Sequence, residues 1–232
     1  MAKFLSLFFI SFIYVLATPV ANAQLQMDVH FGVITNQIDG DRSSEVFGIK
    51  YLPSTAFQAG VSLDFKVAED VFISVQPGYK NIESLVLLEN ENYENEILDK
   101  ATAKDALKWI PSRDLTIHNV VIPVFIKIIS DNDRFQYHAG IEASIPFSAK
   151  EKDKTTGESS DVLSHINEIN LYAILGIGYR FNLFSTKFTF DLFYSQSVNN
   201  ISSETALDPN FPVRMKVSGV ETRLSWRIPT KK

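Results

Sequence analysis

The stretch FQAGVSLDFKV, residues 57–67, decides the fold. Every second residue from Phe57 to Val67 is apolar, and the residues between them are small, polar or charged. Side chains of a β-strand point alternately to its two faces, so this segment has one apolar face and one polar face. The same alternation recurs about eight times along the chain, with turn-rich segments between. Repeats of this kind are typical of a small membrane-spanning β-barrel.

A leader precedes the first alternating segment. Lys3 gives it a basic start, residues 4–16 are an apolar run, and Ala21-Asn22-Ala23 has the spacing of a cleavage site. The apolar run holds roughly 13 residues, fewer than the ~20 that a spanning helix needs. We therefore expect residues 1–23 to be a cleaved signal peptide and residues 24–232 to form one barrel domain.

We predict eight strands joined by connections that alternate between long and short. The strands are residues 25–35, 57–67, 71–84, 114–129, 134–148, 168–181, 186–197 and 213–228. Short turns are predicted at 67–70, 130–133 and 182–185, and long loops at 36–55, 87–112, 150–165 and 199–212. A barrel with both termini in the periplasm has this order, because its periplasmic turns are tight and its external loops are longer.

Prolines and glycines within the predicted strands have structural interpretations. Pro123 and Pro146 each remove a ladder hydrogen bond, which predicts a bulge or a strand end at each position. Gly176 and Gly178 lie inside a strand, where we expect them to make room for large interior neighbours such as Arg180.

Alternation alone does not say which face of the barrel points outward. A soluble calyx of the lipocalin type also has eight strands, with its apolar side inside. Here the polar face carries both signs of charge, and such a set neutralises itself in a closed lumen. The apolar face carries aromatic residues near strand ends, as expected at membrane interfaces. We therefore predict lipid outside and an interior polar network formed by Asp28, His30, Asp64, Lys66, Lys80, His138, Glu142, Arg180, Lys187, Asp191, Glu221 and Arg223.

A family resemblance rests on motifs in six successive strands. They are VHFGV at 29–33, QAGVSLDF at 58–65, ISVQPGY at 73–79, VVIPVFIKI at 120–128, YHAGIEASI at 137–145 and LGIGYRF at 175–181. In order and spacing they resemble the PorT-like outer-membrane β-barrel family of Bacteroidetes-type bacteria. The resemblance implies a place in the outer membrane of a Gram-negative bacterium and participation in protein secretion or surface assembly.

The predicted fold class is all-β, an eight-stranded antiparallel up-and-down transmembrane barrel. Side chains fill the interior of a barrel this small, which argues against a porin. We expect a non-enzymatic outer-membrane protein that acts as a structural, surface-interaction or secretion-associated component through its external loops. We expect recognition by two loops, the first loop, 36–55, and the acidic segment 87–112, which has apolar residues at helical spacing. Its candidate contact residues are Glu91, Tyr93, Glu94, Glu96 and Trp109.

Expected partners are outer-membrane lipid and cell-envelope or secretion-machinery proteins. The formal net charge of −5 argues against nucleic acid. The chain has no cysteine and no His-x-x-x-His spacing, so we expect no metal, no cofactor and no thiol chemistry.

Two alternatives stay open from the sequence. One is a lipid-modifying enzyme of the outer membrane, which requires a lipid-facing serine beside a histidine. Ser144, Ser148 and Ser195 lie in predicted strands, but nothing in their spacing places any of them beside a histidine, so we expect no catalytic residues. The other alternative is the soluble calyx, which would bind a hydrophobic ligand in its lumen.

Overall fold

The computed structural model describes residues 25–40, 49–89, 109–183, 186–203 and 214–228. The predicted signal peptide and most of segment 87–112 lie outside these ranges. The strands are β1 (Leu25–Gly40), β2 (Ile49–Lys66), β3 (Val71–Val75), β4 (Gly78–Glu89), β5 (Trp109–Ile129), β6 (Phe135–Asp153), β7 (Ser159–Asp161), β8 (Asn170–Leu183), β9 (Thr186–Ser197) and β10 (Met215–Arg227). A single 3-10 turn spans Leu163–His165 in the described part of the chain.

The strands close into a ring because the first pairs with the last. Val29 of β1 lies opposite Val61 of β2 on one side and opposite Trp226 of β10 on the other. Both β3 and β4 lie between β2 and β5, so they are two halves of one barrel strand. Among the described residues the ring therefore has eight strand positions, all antiparallel, and β7 only extends the outer end of β6. The predicted fold class is confirmed.

Proline explains the break between β3 and β4. The ladder with β5 stops at the pair Val75–Val124 and resumes at Gly78–Val121. Pro77 in the gap and Pro123 on the facing strand both lack an N–H group, so neither can donate to the ladder. A backbone hydrogen bond still crosses the break, where the Gln76 N–H donates to the Pro123 carbonyl over 2.9 Å. Pro123 itself lies inside β5 and pairs with Glu142 without a register shift, so the bulge or strand end predicted there was wrong; the interruption falls on the facing strand.

The second predicted irregularity is a β-bulge beside Pro146. Asn119 pairs with Pro146, whereas His118 pairs with Ser148, which leaves Phe147 as the extra residue. The prediction from Pro146 is therefore confirmed.

The apolar face of the barrel points outward. Large apolar side chains are exposed all around it, with Phe31 at 65%, Leu175 at 63% and Ile141 at 60%. The opposite face is buried and carries most of the polar residues of the strands. A soluble calyx has the reverse arrangement, so that alternative is wrong. Within the described ranges, no helix is long and apolar enough to cross a membrane.

Above the membrane the two faces exchange character. The buried residues of β1 read, from the periplasmic end upward, Asp28, His30, Ile34, Asn36 and Ile38. Its exposed residues read Phe31, Val33, Thr35, Gln37 and Asp39. Water replaces lipid outside at this level, so a polar outer face over an apolar interior is the stable arrangement.

This exchange makes the strands longer than predicted. β5 has 21 residues, about twice the 9–11 that a transmembrane strand needs. β1 continues to Gly40 and β2 begins at Ile49, so most of the predicted loop 36–55 is strand. That prediction was wrong because the polar residues there face water outside a hairpin that still has a buried side.

Candidate functional site

The lower half of the lumen is filled by a polar cluster centred on Arg223. Its guanidinium donates from Nε to Glu221 Oε1 over 2.8 Å and from Nη1 to Gln76 Oε1. Gln58 Nε2 donates to the same Glu221 oxygen, and the Arg223 guanidinium carbon lies 4.5 Å from the centroid of the Phe193 ring. These side chains come from β10, β2, β9 and the β3–β4 break, so the cluster crosses the lumen.

A second cluster is built around Asp191. Its Oδ1 accepts from Gln136 Nε2 over 2.8 Å and lies 3.2 Å from His138 Nε2, while Ser225 Oγ donates to Oδ2 over 3.4 Å. His138 is 4% exposed and its ring lies 5.0 Å from that of Phe193. The carboxylate is thus held by three strands and is closed to solvent.

Two ion pairs complete the interior. Lys80 Nζ donates to Glu142 Oε1 over 2.8 Å, and Lys127 Nζ donates to Asp64 Oδ2. Exposure is 1% for Lys80 and zero for both Glu142 and Asp64. Charges this deeply buried are stable only when opposite charges meet, so each pair is a structural unit.

Two further pairs lie toward the periplasmic mouth. Arg227 Nε donates to Asp28 Oδ1 over 2.9 Å, and Arg180 Nη1 donates to Asp133 Oδ1. His30, higher in the lumen, has its Nδ1 3.3 Å from Ser62 Oγ.

Two residues of the predicted network are less buried than the others. Lys187 lies at the periplasmic mouth with its side chain 52% exposed, and its Nζ is 3.6 Å from Asp133 Oδ2. Its expected place in the lumen was therefore wrong. Lys66 is half-buried at the last position of β2. Both residues stand at strand ends, where the alternation no longer reports which face meets the lumen.

Glycines of β8 make room for bulky neighbours, though not for the predicted one. A Cβ on Gly176 would lie 2.3 Å from the Phe193 ring, and a Cβ on Gly178 would lie 2.1 Å from Asp191 Oδ1. The neighbour that needs the space is therefore a residue of β9 and not Arg180.

Glutamines are the main functional residues absent from the predicted network. Gln58, Gln76 and Gln136 are all buried and each bonds a charged group of the interior. Their position on the polar face of their strands was the available signal. Charge alone was too narrow a criterion, since an amide supplies both a donor and an acceptor.

An apolar cluster closes the upper half of the lumen. Its members come from the strands, the β6–β8 connection and the segment after β9: Ile38, Tyr51, Ile82, Val86, Leu115, Ile117, Phe125, Ala149, Val162, Ile166, Tyr172, Ile174, Phe193, Ile201, Met215 and Val217. Tyr172 is 2% exposed, and the Lys80 ammonium lies 5.2 Å from its ring centroid. The apolar cluster of the upper lumen is therefore in contact with the polar side chains of the lower lumen.

The extracellular rim is ordered by asparagine side chains. Asn167 Nδ2 donates to the carbonyls of Asn200 at 2.7 Å and Ser202 at 3.0 Å, which joins the β6–β8 connection to the segment after β9. Asn200 Oδ1 accepts from the Met215 N–H over 2.6 Å, and Asn199 Oδ1 accepts from the Leu171 N–H over 2.7 Å. These bonds join the β6–β8 connection, the segment after β9 and the outer ends of β8 and β10.

A groove of about 1220 Å³ lies at this rim, between the outer face of β6 and the β6–β8 connection. Its walls include Ile145, Leu163, Asn167 and Glu168. Nearby, the turn after β6 is fastened by Asp153, whose Oδ1 accepts from the N–H groups of Thr155 and Thr156. The hydrogen bonds from the backbone of Thr156 and of Thr155 hold the pKa of the Asp153 carboxyl below its ordinary value.

Of the predicted loop contact residues, Glu91, Tyr93, Glu94 and Glu96 lie outside the described ranges. Trp109 is the first residue of β5, opposite Glu89 of β4, so its predicted place in a loop was wrong.

The structure does place one of the three strand serines beside a histidine. Ser148 lies opposite His118 in the β5–β6 ladder, because the bulge at Phe147 shifts the register. Among the described residues no hydrogen bond joins the two side chains, and His118 Nδ1 lies 2.6 Å from the Tyr79 hydroxyl instead. The pair lacks the contact that activates a serine nucleophile. In the same part of the chain no group of three or more histidines and carboxylates is arranged to hold a metal ion.

Several solved outer-membrane proteins are similar to this chain at low sequence identity. Ail, the attachment invasion locus protein of Yersinia pestis, is 11% identical over 88% of this chain and 98% of its own, with a TM-score of 0.43. Neisserial surface protein A is 9% identical over 87% and 97%, with a TM-score of 0.45. OprG of Pseudomonas aeruginosa is 12% identical over 89% and 96%, with a TM-score of 0.43.

No curated protein matches the chain. A family model described as the outer membrane protein beta-barrel domain matches residues 20–203, which is most of the chain. The closed ring, the apolar exterior and the filled polar interior agree with that match. The chain belongs to the outer membrane protein β-barrel domain family.

Proposed function

We propose that this protein is a non-conducting, non-enzymatic barrel that anchors a recognition surface at the outside of the outer membrane. Its lumen contributes stability, and its extracellular rim and long loops contact other molecules. The resemblance to PorT-like proteins extends the proposal to a cell-envelope or secretion-machinery partner.

The filled lumen is the observation that carries this proposal. Arg223 crosses the lower lumen and packs on Phe193, and Tyr172 with its apolar neighbours occupies the upper lumen. A solute would have to displace buried ion pairs as well as the apolar cluster. Transport through the barrel is therefore unfavourable, whereas the strands that continue above the membrane raise the loops toward the outside.

The first test is conductance. The purified protein in a planar lipid bilayer should give no ohmic channel, with a water-filled porin as the positive control. Stable open-channel currents at moderate voltage would contradict the non-conducting barrel.

The second test removes residues 91–108. Glu89 and Trp109 are paired across β4 and β5, so a single glycine in place of residues 91–108 leaves Asn90-Gly as a two-residue turn suited to the strand twist. The shortened protein should keep the heat-dependent electrophoretic shift of a folded barrel and lose its crosslinks to other envelope proteins. A variant with residues 91–108 scrambled controls for composition and length. If the scrambled variant crosslinks like wild type, sequence-specific recognition by this loop is refuted.

Two measurements address the secretion and enzyme parts of the proposal. Loss of secreted proteins in a deletion strain, restored by the wild-type gene but not by the shortened protein, would support a secretion partner. Ser148→Ala and His118→Ala strains should have unchanged lipid A and phospholipid profiles. A missing lipid species in either strain would favour the lipid-modifying alternative.

Export through a cleaved leader is part of the same proposal. Mass spectrometry of the membrane-extracted protein should find Gln24 as the mature N-terminus. A chain that retains residues 1–23 in the outer membrane would refute cleavage after Ala23.

A further inference from the structure

A polar pocket of about 360 Å³ opens at the periplasmic end of the barrel. The turn between β5 and β6 contributes Asp133 and Arg134, the end of β8 contributes Arg180, and the start of β9 contributes Lys187. It lies apart from the extracellular rim, and the proposed recognition surface does not use it.

Positive charge exceeds negative charge in this pocket. Three cations, Arg134, Arg180 and Lys187, surround the single carboxylate of Asp133. Arg180 and Lys187 both pair with that carboxylate, whereas the exposed Arg134 guanidinium has no ion-pair partner among the described residues. A concave site with this excess of positive charge attracts an anion.

Backbone hydrogen bonds join the elements that carry Arg134 and Arg180. The Asp133 N–H donates to the Ser130 carbonyl over 2.8 Å, and Asp133 has a φ of 53°, a left-handed conformation that aspartate tolerates in tight turns. The Arg180 N–H donates to the Arg134 carbonyl over 2.6 Å and ties β8 to the same turn. The backbones that carry Arg134 and Arg180 are thus fixed relative to each other before any ligand binds, which lowers the entropy cost of binding.

Aromatic side chains place the pocket at the level of lipid headgroups. The rings of Phe135 and Tyr179 lie 5.4 Å apart and both are exposed on the outer face. Phe181 stacks on Tyr179 at 6.4 Å and on Phe188 at 5.8 Å. Such belts lie at the membrane–water interface, where phospholipid phosphates are found. Tyr179 and Phe181 also line the pocket, so the cations and the belt are adjacent.

We propose that this pocket binds the phosphate group of an anionic glycerophospholipid from the periplasmic leaflet. Arg134 and Lys187 are the cations free to turn toward the phosphate, and Arg180 remains on Asp133 as a positioning residue. The acyl chains then lie along the outer face beside Tyr179 and Phe181.

Native mass spectrometry of the detergent-solubilised protein tests this site, with dioleoyl phosphatidylglycerol as the probe lipid. The Arg134→Gln/Lys187→Gln variant should lose about 30-fold in affinity for this lipid, from the usual contribution of two basic residues near an anionic surface. Lys150→Gln/Lys152→Gln is the matched control, because it removes two exposed cations at the opposite end of the barrel. Heat-dependent electrophoretic mobility checks that both variants fold. If the first does not, Lys187→Gln alone serves, since that side chain is 52% exposed.

Three outcomes test the proposed phospholipid site. Selective loss in the Arg134/Lys187 variant supports the site. Equal affinities in both variants would overturn it. Displacement of the lipid by millimolar inorganic phosphate, with no preference for the lipid, would identify the ligand as free phosphate and overturn the lipid assignment.

Discussion

Breaking the buried Lys80–Glu142 pair should destabilise the barrel strongly. Lys80→Met leaves a carboxylate without its cation in a site with zero exposure, and removing one member of such a pair costs about 3–5 kcal/mol. That is a large part of the ~5–15 kcal/mol that a typical domain has in total. The lost contact between the ammonium and the Tyr172 ring adds to the effect.

The double variant Lys80→Met/Glu142→Leu should recover most of this loss. Glu142 Oε2 has no hydrogen-bond partner among the described residues, so the pair is incompletely satisfied and an apolar replacement is close to neutral. Guanidinium unfolding of the protein folded in lipid vesicles, followed by tryptophan fluorescence, measures these free energies of unfolding.

Lys154→Met is the control for this experiment. Lys154 Nζ lies 3.1 Å from Asp114 Oδ1, but both side chains are more than 40% exposed, so the change should stay below about 1 kcal/mol. If Lys80→Met costs no more than Lys154→Met, water reaches the inner pair. The lumen would then be hydrated, and its side chains would not prevent conduction.

Further predictions concern the walls and the exterior of the barrel. Gly140→Ala should prevent assembly, because the new Cβ would lie 2.0 Å from the Val124 carbonyl oxygen. Gly157→Asn is the control, since Gly157 has a φ of 75° and open space around it, and this variant should give a wild-type heat-dependent electrophoretic shift. Equal shifts for both variants would disprove the clash. Leu175→Arg should cost about 2–4 kcal/mol in vesicles because it faces lipid, whereas Gln37→Arg, on the outer face above the membrane, should cost less than 1 kcal/mol. Phe193→Ala should cost about 3–5 kcal/mol by guanidinium unfolding, and a loss under 1 kcal/mol would show that the two fillings of the lumen do not pack together.

The alternation of side chains made the barrel predictable, since lipid and a filled lumen impose opposite requirements on successive residues. Wherever both requirements acted, as along β8 and β9, the predicted strands agree with the structure to within a few residues. The prediction failed above the membrane. At Gln37 and Asp39 the outer face is polar, so a strand with a buried apolar side was taken for a loop.

The candidate site, like the fold, was predictable only in part. Asp64, Glu142 and Arg223 were predictable as interior groups from their parity alone. Which groups they pair with was not predictable, because their partners Lys127, Lys80 and Gln76 lie 63, 62 and 147 positions away along the chain. Strand tilt and register decide which of the inward side chains meet at one level.

The sequence by itself determined the strand count and the ring topology, because these depend on a period of two and on the lengths of the connections. It also indicated the apolar exterior, because the polar face carries charges of both signs and the apolar face carries aromatic residues near strand ends. Only the tertiary structure decided that the lumen is polar below and apolar above, and that the asparagines order the outer rim. The same holds for the three cations that share a pocket at the periplasmic end. Those features arise from strands that are remote in sequence, and closure of the ring brings them into contact.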